Sequence, residues 1–356
     1  MEDFIEINDI RDKKDFKGMT FSNFNRSQVK KELIKSLMES KIEQANYWSI
    51  EFICSGNYSE LWDIFLFFYS KYIHTGNPKL AIYLDLKVQL FKEIINTGYN
   101  GNEIKMRNNV KIRKMFCEII CIMCYSKRKH SFDEIKIKKD DFDLTLMVGK
   151  FKADDQSYAN SLILKEDPQE LFIAINEFAY SISKKGKNSI DACFWIEWIM
   201  EFENISKLKK QKIECERRIQ IPVDSKEQKQ IIWIVWDAIL KESIEHNQFI
   251  QKIIKSLLNL FCLKYSSGCP RKRRYIMYFA VTLLTDIINM EEELVKEKDK
   301  ILQIIGNIDN LYKQVKKNEV SPNTDYLFMN TKKSNLDKTL EKLDIMNSIN
   351  PTLNDL

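Results

Sequence analysis

Cys117, Cys121 and Cys124 stand at C-x3-C-x2-C, the spacing with which radical enzymes hold an iron–sulfur cluster for S-adenosylmethionine. Such a cluster needs its thiolates on an open loop, with one iron position left for the cofactor. Here Ile119, Ile120, Ile122 and Met123 continue an apolar helix between the cysteines. Unpaired Cys is also among the commonest core residues. The three thiols are therefore expected on a packed helix face. Adding His130 completes a zinc set in composition only, because helix positions i, i+4 and i+7 do not close a tetrahedron by themselves. His74 and His246 fall near predicted helix ends, where a cation complements the carbonyl-rich terminus. No Ser or Cys is tied to either as a nucleophile. The carboxylate pairs Asp140–Asp141 and Asp154–Asp155 sit beside plausible helix starts, where negative charge is favoured. Neither G-x-x-x-x-G-K-[ST] nor G-x-G-x-x-G occurs. The expectation is a protein without catalytic residues, cofactor or metal.

Basic clusters offer a different chemistry. Arg271-Lys272-Arg273-Arg274 opens a helix, where the dipole is already positive. A phosphate or an acidic partner would relieve a cost on the order of a few tenths of a kcal/mol per charge. Lys127-Arg128-Lys129, followed by His130, and Lys209-Lys210 with Arg217-Arg218 form two further patches. Converging in space, they would make nucleic acid a candidate ligand. Apart, they would be solvated faces balanced by neighbouring Asp and Glu. The net charge of +5, from 56 basic and 51 acidic residues, is mild and favours separate faces. Trp48, Trp62, Trp195, Trp198, Trp233 and Trp236 all fall inside predicted helices, as core anchors do; base-stacking aromatics sit on sheets or loops.

These residues have to be positioned by helices. Of 356 residues, 44% are hydrophobic and 12% aromatic, which excludes wholesale disorder. Nine Gly and six Pro are too few for the turns of a β-rich fold or for phosphate-cradling loops, so the fold class is all-α. Eight Cys, mostly in apolar helical stretches, and an acidic, mixed opening (MEDFIEINDIRDKKDF) point to a reducing, intracellular compartment. Tyr275 to Met290 is short for a membrane span and carries Asp286; it reads as a buried helix.

The organising stretch is 41–98. Gly56, Gly76 and Gly98 are expected as left-handed helix ends, Ser59 and Asn77 as N-caps, with Pro78 at the first helical position. Its middle helix, with Leu61, Trp62, Ile64, Phe65, Leu66, Phe67 and Phe68, is apolar nearly all round and must be wrapped by its neighbours. In chain order the reading is an irregular arm (1–26), an N-terminal helical half (27–130), a connector (131–166), a C-terminal half (167–290), a long charged helix (291–320) and a loose tail (321–356). Asn102 is expected to cap the helix through 107–126. Asp167, Pro168 and Glu170 form a capping-box pattern at the start of the second half. The connector holds Ile135 and Ile137, which alternate as in one short strand or an extended crossing. The tail includes an amphipathic segment, Leu336–Ile345. An internal echo, Ala45-Asn46-Tyr47-Trp48 against Ala192-Cys193-Phe194-Trp195, is consistent with a helical-repeat-like stack in two halves.

The segments DFKGMTFSNF, GNPKLAIYL, RNNVKIRKMFCEII, DPQELFIAINEFAY and ACFWIEWIMEFE resemble a family of uncharacterised helical proteins of giant nucleocytoplasmic large DNA viruses, over roughly residues 15–290. The resemblance implies a viral source, with the host cytoplasm (viral factory) or the virion as location, and supplies no reaction. A shorter stretch, 43–86, is similar to the helical C-terminal domain of clamp-loader-type replication ATPases, without the phosphate-binding loop. The functional expectation is a non-enzymatic scaffold for viral protein partners, in replication or particle assembly, with the 291–317 region as a docking arm. The alternative is a nucleic-acid-associated accessory factor using Lys127, Arg128, Lys129, Arg217, Arg218, Arg271, Lys272, Arg273 and Arg274.

Overall fold

Asparagine sets several of the helix starts. Asn25, Asn109, Asn188 and Asn247 each turn a side-chain oxygen onto N–H groups of the following turn, satisfying donors that a helix start leaves unpaired. The computed structural model describes residues 5–143 and 145–320. Among these, thirteen α-helices make up an all-α fold, about 60% helical and without a strand. The first half runs α1 (Arg26–Met38), α2 (Ile42–Cys54), α3 (Tyr58–Phe68), α4 (Leu80–Asn96) and α5 (Val110–Tyr125). The second runs α6 (Phe172–Ile182), α7 (Ser189–Leu208), α8 (Ile232–Ser243), α9 (Gln248–Phe261), α10 (Cys269–Lys272) and α11 (Arg274–Thr285), followed by α12 (Lys298–Gly306) and α13 (Ile308–Lys316).

The second half repeats the order and pairings of the first. α1 packs along α2 as α6 packs along α7, and α2 meets α5 as α7 meets α11. The two echoed aromatic pairs share one geometry. Tyr47 and Trp48 lie 5.1 Å apart at 80°, Phe194 and Trp195 5.2 Å apart at 80°. Trp62-Asp63 in α3 and Trp236-Asp237 in α8 form a second echo. Asp85 and Asn259 stand equally far along the chain from these pairs, and they hydrogen-bond each other at 2.9 Å where α4 packs on α9. Equivalent positions that touch are what a two-fold relation between the halves produces. Buried side chains of both halves form one continuous core, crossed by contacts such as Tyr69 with Phe279.

α3 is wrapped as its composition demands, with Trp62 against Phe65, Phe91 and Phe116. Burying each such ring contributes about 1.5–3 kcal/mol. Several expectations change. Gly56 and Gly98 are left-handed, but Gly76 is not; His74 takes the positive φ instead, at +29°. Gly76 is required by proximity, since a Cβ there would lie 2.1 Å from the Lys127 carbonyl oxygen. Asn57, not Ser59, precedes α3, and α4 begins at Leu80. Asn77 bonds Ser126 and the Leu294 carbonyl instead of capping a helix. Asn102 precedes a 3-10 turn (Glu103–Asn108), and Asn109 caps α5. Ile135 and Ile137 lie in extended chain with no strand partner among the described residues.

The arm is irregular, as expected, yet Ile7, Phe16 and Phe21 are buried in the core. The long charged helix at 291–320 is instead two nine-residue helices that break at Asn307. They pack on α5 and α2, burying Ile301, Ile308, Tyr312 and Val315. Arg113 ties them down, donating to Asp309 at 2.8 Å and covering the Tyr312 ring. A docking arm would need that apolar stripe free, and it is occupied. The amphipathic segment Leu336–Ile345 and the rest of the tail lie outside the described residues.

Candidate functional site

The structure sorts the nine basic candidates by what already holds them. Arg218 is buried, with both Nη atoms on the Asp167 carboxylate (2.8 and 2.6 Å) and Nε on Asp237 (2.8 Å). Arg273 is buried between the Phe261 carbonyl and Asp63. Arg274 pairs with Glu197 at 3.0 Å, and the exposed Arg271 with Glu201 at 2.8 Å. Arg128 lies over the Phe68 ring and donates to the carbonyls of Leu37 and Met123. Arg217 is exposed and donates to Gln228. Lys127, Lys129 and Lys272 are exposed.

Two of the clusters lie apart. Arg271 and Lys272 end α10 and Arg274 opens α11, whereas Lys127 and Lys129 line a small cavity with Thr282 and Asp286 at the other end of α11. At ~1.5 Å per residue, that helix separates them by roughly 18 Å. Glu292 sits beside the two lysines and is held below the usual carboxylate range by its bond to Lys296 and by their charge. The misreading of Arg218 and Arg273 has a physical cause. A sequence shows that a guanidinium exists but not which distant carboxylate folds onto it.

The metal and nucleophile candidates are packed. All eight cysteines are free and buried, and burial pushes the Cys124 thiol up to about 12. Cys117 is pushed higher still, first by its bond to Cys121 and then by burial. A thiol held in that form is neither nucleophile nor ready ligand. Among the described residues, no three His, Cys, Asp or Glu side chains are placed to hold a metal ion. His74 caps nothing. It stacks on Phe132 at 4.5 Å, its Nε2 is 3.0 Å from the His130 carbonyl, and burial lowers its pKa.

The sequence reading missed one open aromatic surface. A cleft of about 760 Å³ lies between the connector and the α6–α7 hairpin. α7 supplies its floor with Trp195, Trp198 and Phe202; α6 supplies Ile173, a large side chain left 41% exposed. The connector supplies Phe142 and Phe151, which pack on Trp198 (5.0 Å) and Trp195 (6.3 Å). The Trp198 indole N–H donates to the Asp141 carbonyl, which fixes the ring and pins the connector over it. Lys139 and Lys209 also line it. Volume and lining match the range of about 300–1,000 Å³, mostly apolar with a few polar groups, seen for binding sites.

The cleft is built where the halves differ. α7 has twenty residues against thirteen in α2, and its added turns carry Phe202 and Ile205. The segment between α7 and α8 continues the wall with Gln211 and Ile213. It is anchored by Arg218 to Asp167, at the entry to α6, and to Asp237 in α8. Asp167, expected as a helix N-cap, is thus an ion-pair partner, and α6 begins at Phe172. A signal for the cleft was present: Phe142 and Phe151, two of the four aromatics in the connector, each flanked by charged residues. No protein-family model matches the chain, and no curated protein or solved structure matches it.

Proposed function

We propose that the chain is a non-enzymatic helical scaffold that engages a protein partner at the aromatic cleft. It would act in the replication or particle assembly of a large DNA virus, in the viral factory or the virion. The observation that carries this reading is the cleft itself, a pre-formed apolar surface with Ile173 exposed at its mouth. Supporting it, the cleft draws on the connector and on the added turns of α7, which α2 does not have. Pocketed aromatics of this kind carry most of the energy of protein interfaces. Nucleic acid is the less supported ligand, because Arg218, Arg273 and Arg274 are already neutralised by Asp167, Asp63 and Glu197.

Site-specific photocrosslinking in infected cells tests the reading. A benzophenone side chain at position 173 is expected to capture a discrete viral protein, and one at exposed Leu302 is not. Equal labelling from both positions, or none from 173, would overturn it.

A further inference from the structure

Both halves show what covers this kind of hairpin. In the first, the arm crosses α1 and α2 as non-helical chain, bringing Phe24 edge-on to Trp48 at 5.6 Å. The same arm closes the end of α2. Ser22 donates its N–H (2.9 Å) and hydroxyl (2.6 Å) to Glu51, a carboxylate with no solvent exposure. In the second, the connector crosses α7 as loops and two short 3-10 turns, Lys139–Phe142 and Val148–Lys150, bringing Phe142 to Trp198 and Phe151 to Trp195. Trp48, Trp195 and Trp198 are each met by Phe from a segment without α-helix or strand. Among the described residues no such segment lies over the added turns of α7, and the cleft is the space it would fill.

The rim decides the charge of what enters. Lys139 and Lys209 line the space, against the single carboxylate of Glu170. Neither lysine has a carboxylate partner among the ion pairs of the described residues. An acidic segment would be drawn in and held in register by them.

Resting on the reading of the cleft as a docking surface, we infer that its occupant is an extended acidic segment of a partner protein, seating an aromatic side chain beside Ile173, Trp198 and Phe202. The chain already makes this kind of contact itself, with Phe151 meeting Trp195 from extended backbone, so Phe or Tyr on extended chain reproduces it. Asp or Glu within two or three positions of the ring would span to Lys139 or Lys209, since extended chain advances about 3.3 Å per residue.

The experiment is selection of random twelve-residue displayed peptides on the full chain, followed by affinity measurement of the winners as synthetic peptides. Winners are expected to carry an aromatic residue flanked by Asp or Glu. The double variant Lys139→Glu/Lys209→Glu should weaken them about tenfold or more at low salt, less at high salt. Ile173→Arg, which fills the mouth from an exposed position, should abolish binding. Binding lost with Ile173→Arg but indifferent to the charge reversal, or winners without acidic residues, would overturn the acidic segment and leave the docking surface standing. Winners unaffected by Ile173→Arg would overturn both.

Discussion

Replacing Arg218 by Met tests whether that arginine is a structural anchor or a ligand contact. Its side chain is 1% exposed and holds Asp167, whose side chain is fully buried, through two parallel hydrogen bonds. Without it, Asp167 keeps the N–H groups of Leu164 and Glu216, each at 2.8 Å, but its charge stays buried and unpaired. Breaking a buried pair from one side costs about 3–5 kcal/mol. Asp237, still 19% exposed, can be solvated and adds little. The expected loss in urea unfolding at pH 7 is therefore about 3–5 kcal/mol. The pH dependence has a definite sign. Burial would raise the Asp167 pKa, but Arg218 and the two N–H groups outweigh it and lower it. Its contribution is complete above the unfolded value of about 4 and is lost as pH falls through the lower folded value. In the variant the unpaired carboxylate is pushed upward instead, so the gap to the native protein narrows as pH drops from 7 toward about 4. Adding Asp167→Asn should restore part of the loss, through a coupling on the order of 1–3 kcal/mol. A loss under about 1 kcal/mol, or a gap that widens on acidification, would refute the anchor.

Neighbouring residues of the Arg271–Arg274 cluster should behave oppositely: Arg273→Met costs about 3 kcal/mol or more by stranding Asp63 and the Phe261 carbonyl, whereas exposed Lys272→Ala stays within about 0.5 kcal/mol, both read from chemical denaturation. Gly76→Ala forces a Cβ onto the Lys127 carbonyl and should lower the melting temperature by several degrees, while Gly149→Ala, with open space around it, should not. His74 has a pKa lowered by burial, so the unfolded chain takes up its proton first. Stability is then full above the unfolded value of about 6.5 and falls as pH drops below it. His74→Asn, which tolerates the positive φ, should flatten that part of a melting-temperature profile.

The helices were legible because their signals are local. Ser189 and Gln248 stand at the first residues of α7 and α9, and the all-round apolar pattern of 61–68 correctly demanded a wrapped helix. The echo of Ala45–Trp48 in Ala192–Trp195 was readable as well, and the structure extends it to whole hairpins. The candidate site was less legible. Charge runs marked the basic residues, but Arg218 meets Asp167 across 51 residues and Arg273 meets Asp63 across 210.

By itself the sequence determined the class of fold, the number and placement of most helices and the packed state of the cysteines, since each depends on residues within one or two turns of each other. Only the tertiary structure decided which arginines are spent internally, why Gly76 must lack a side chain and where an aromatic surface stays open. Those outcomes depend on which distant segments come within a few ångströms, and no local pattern carries that distance.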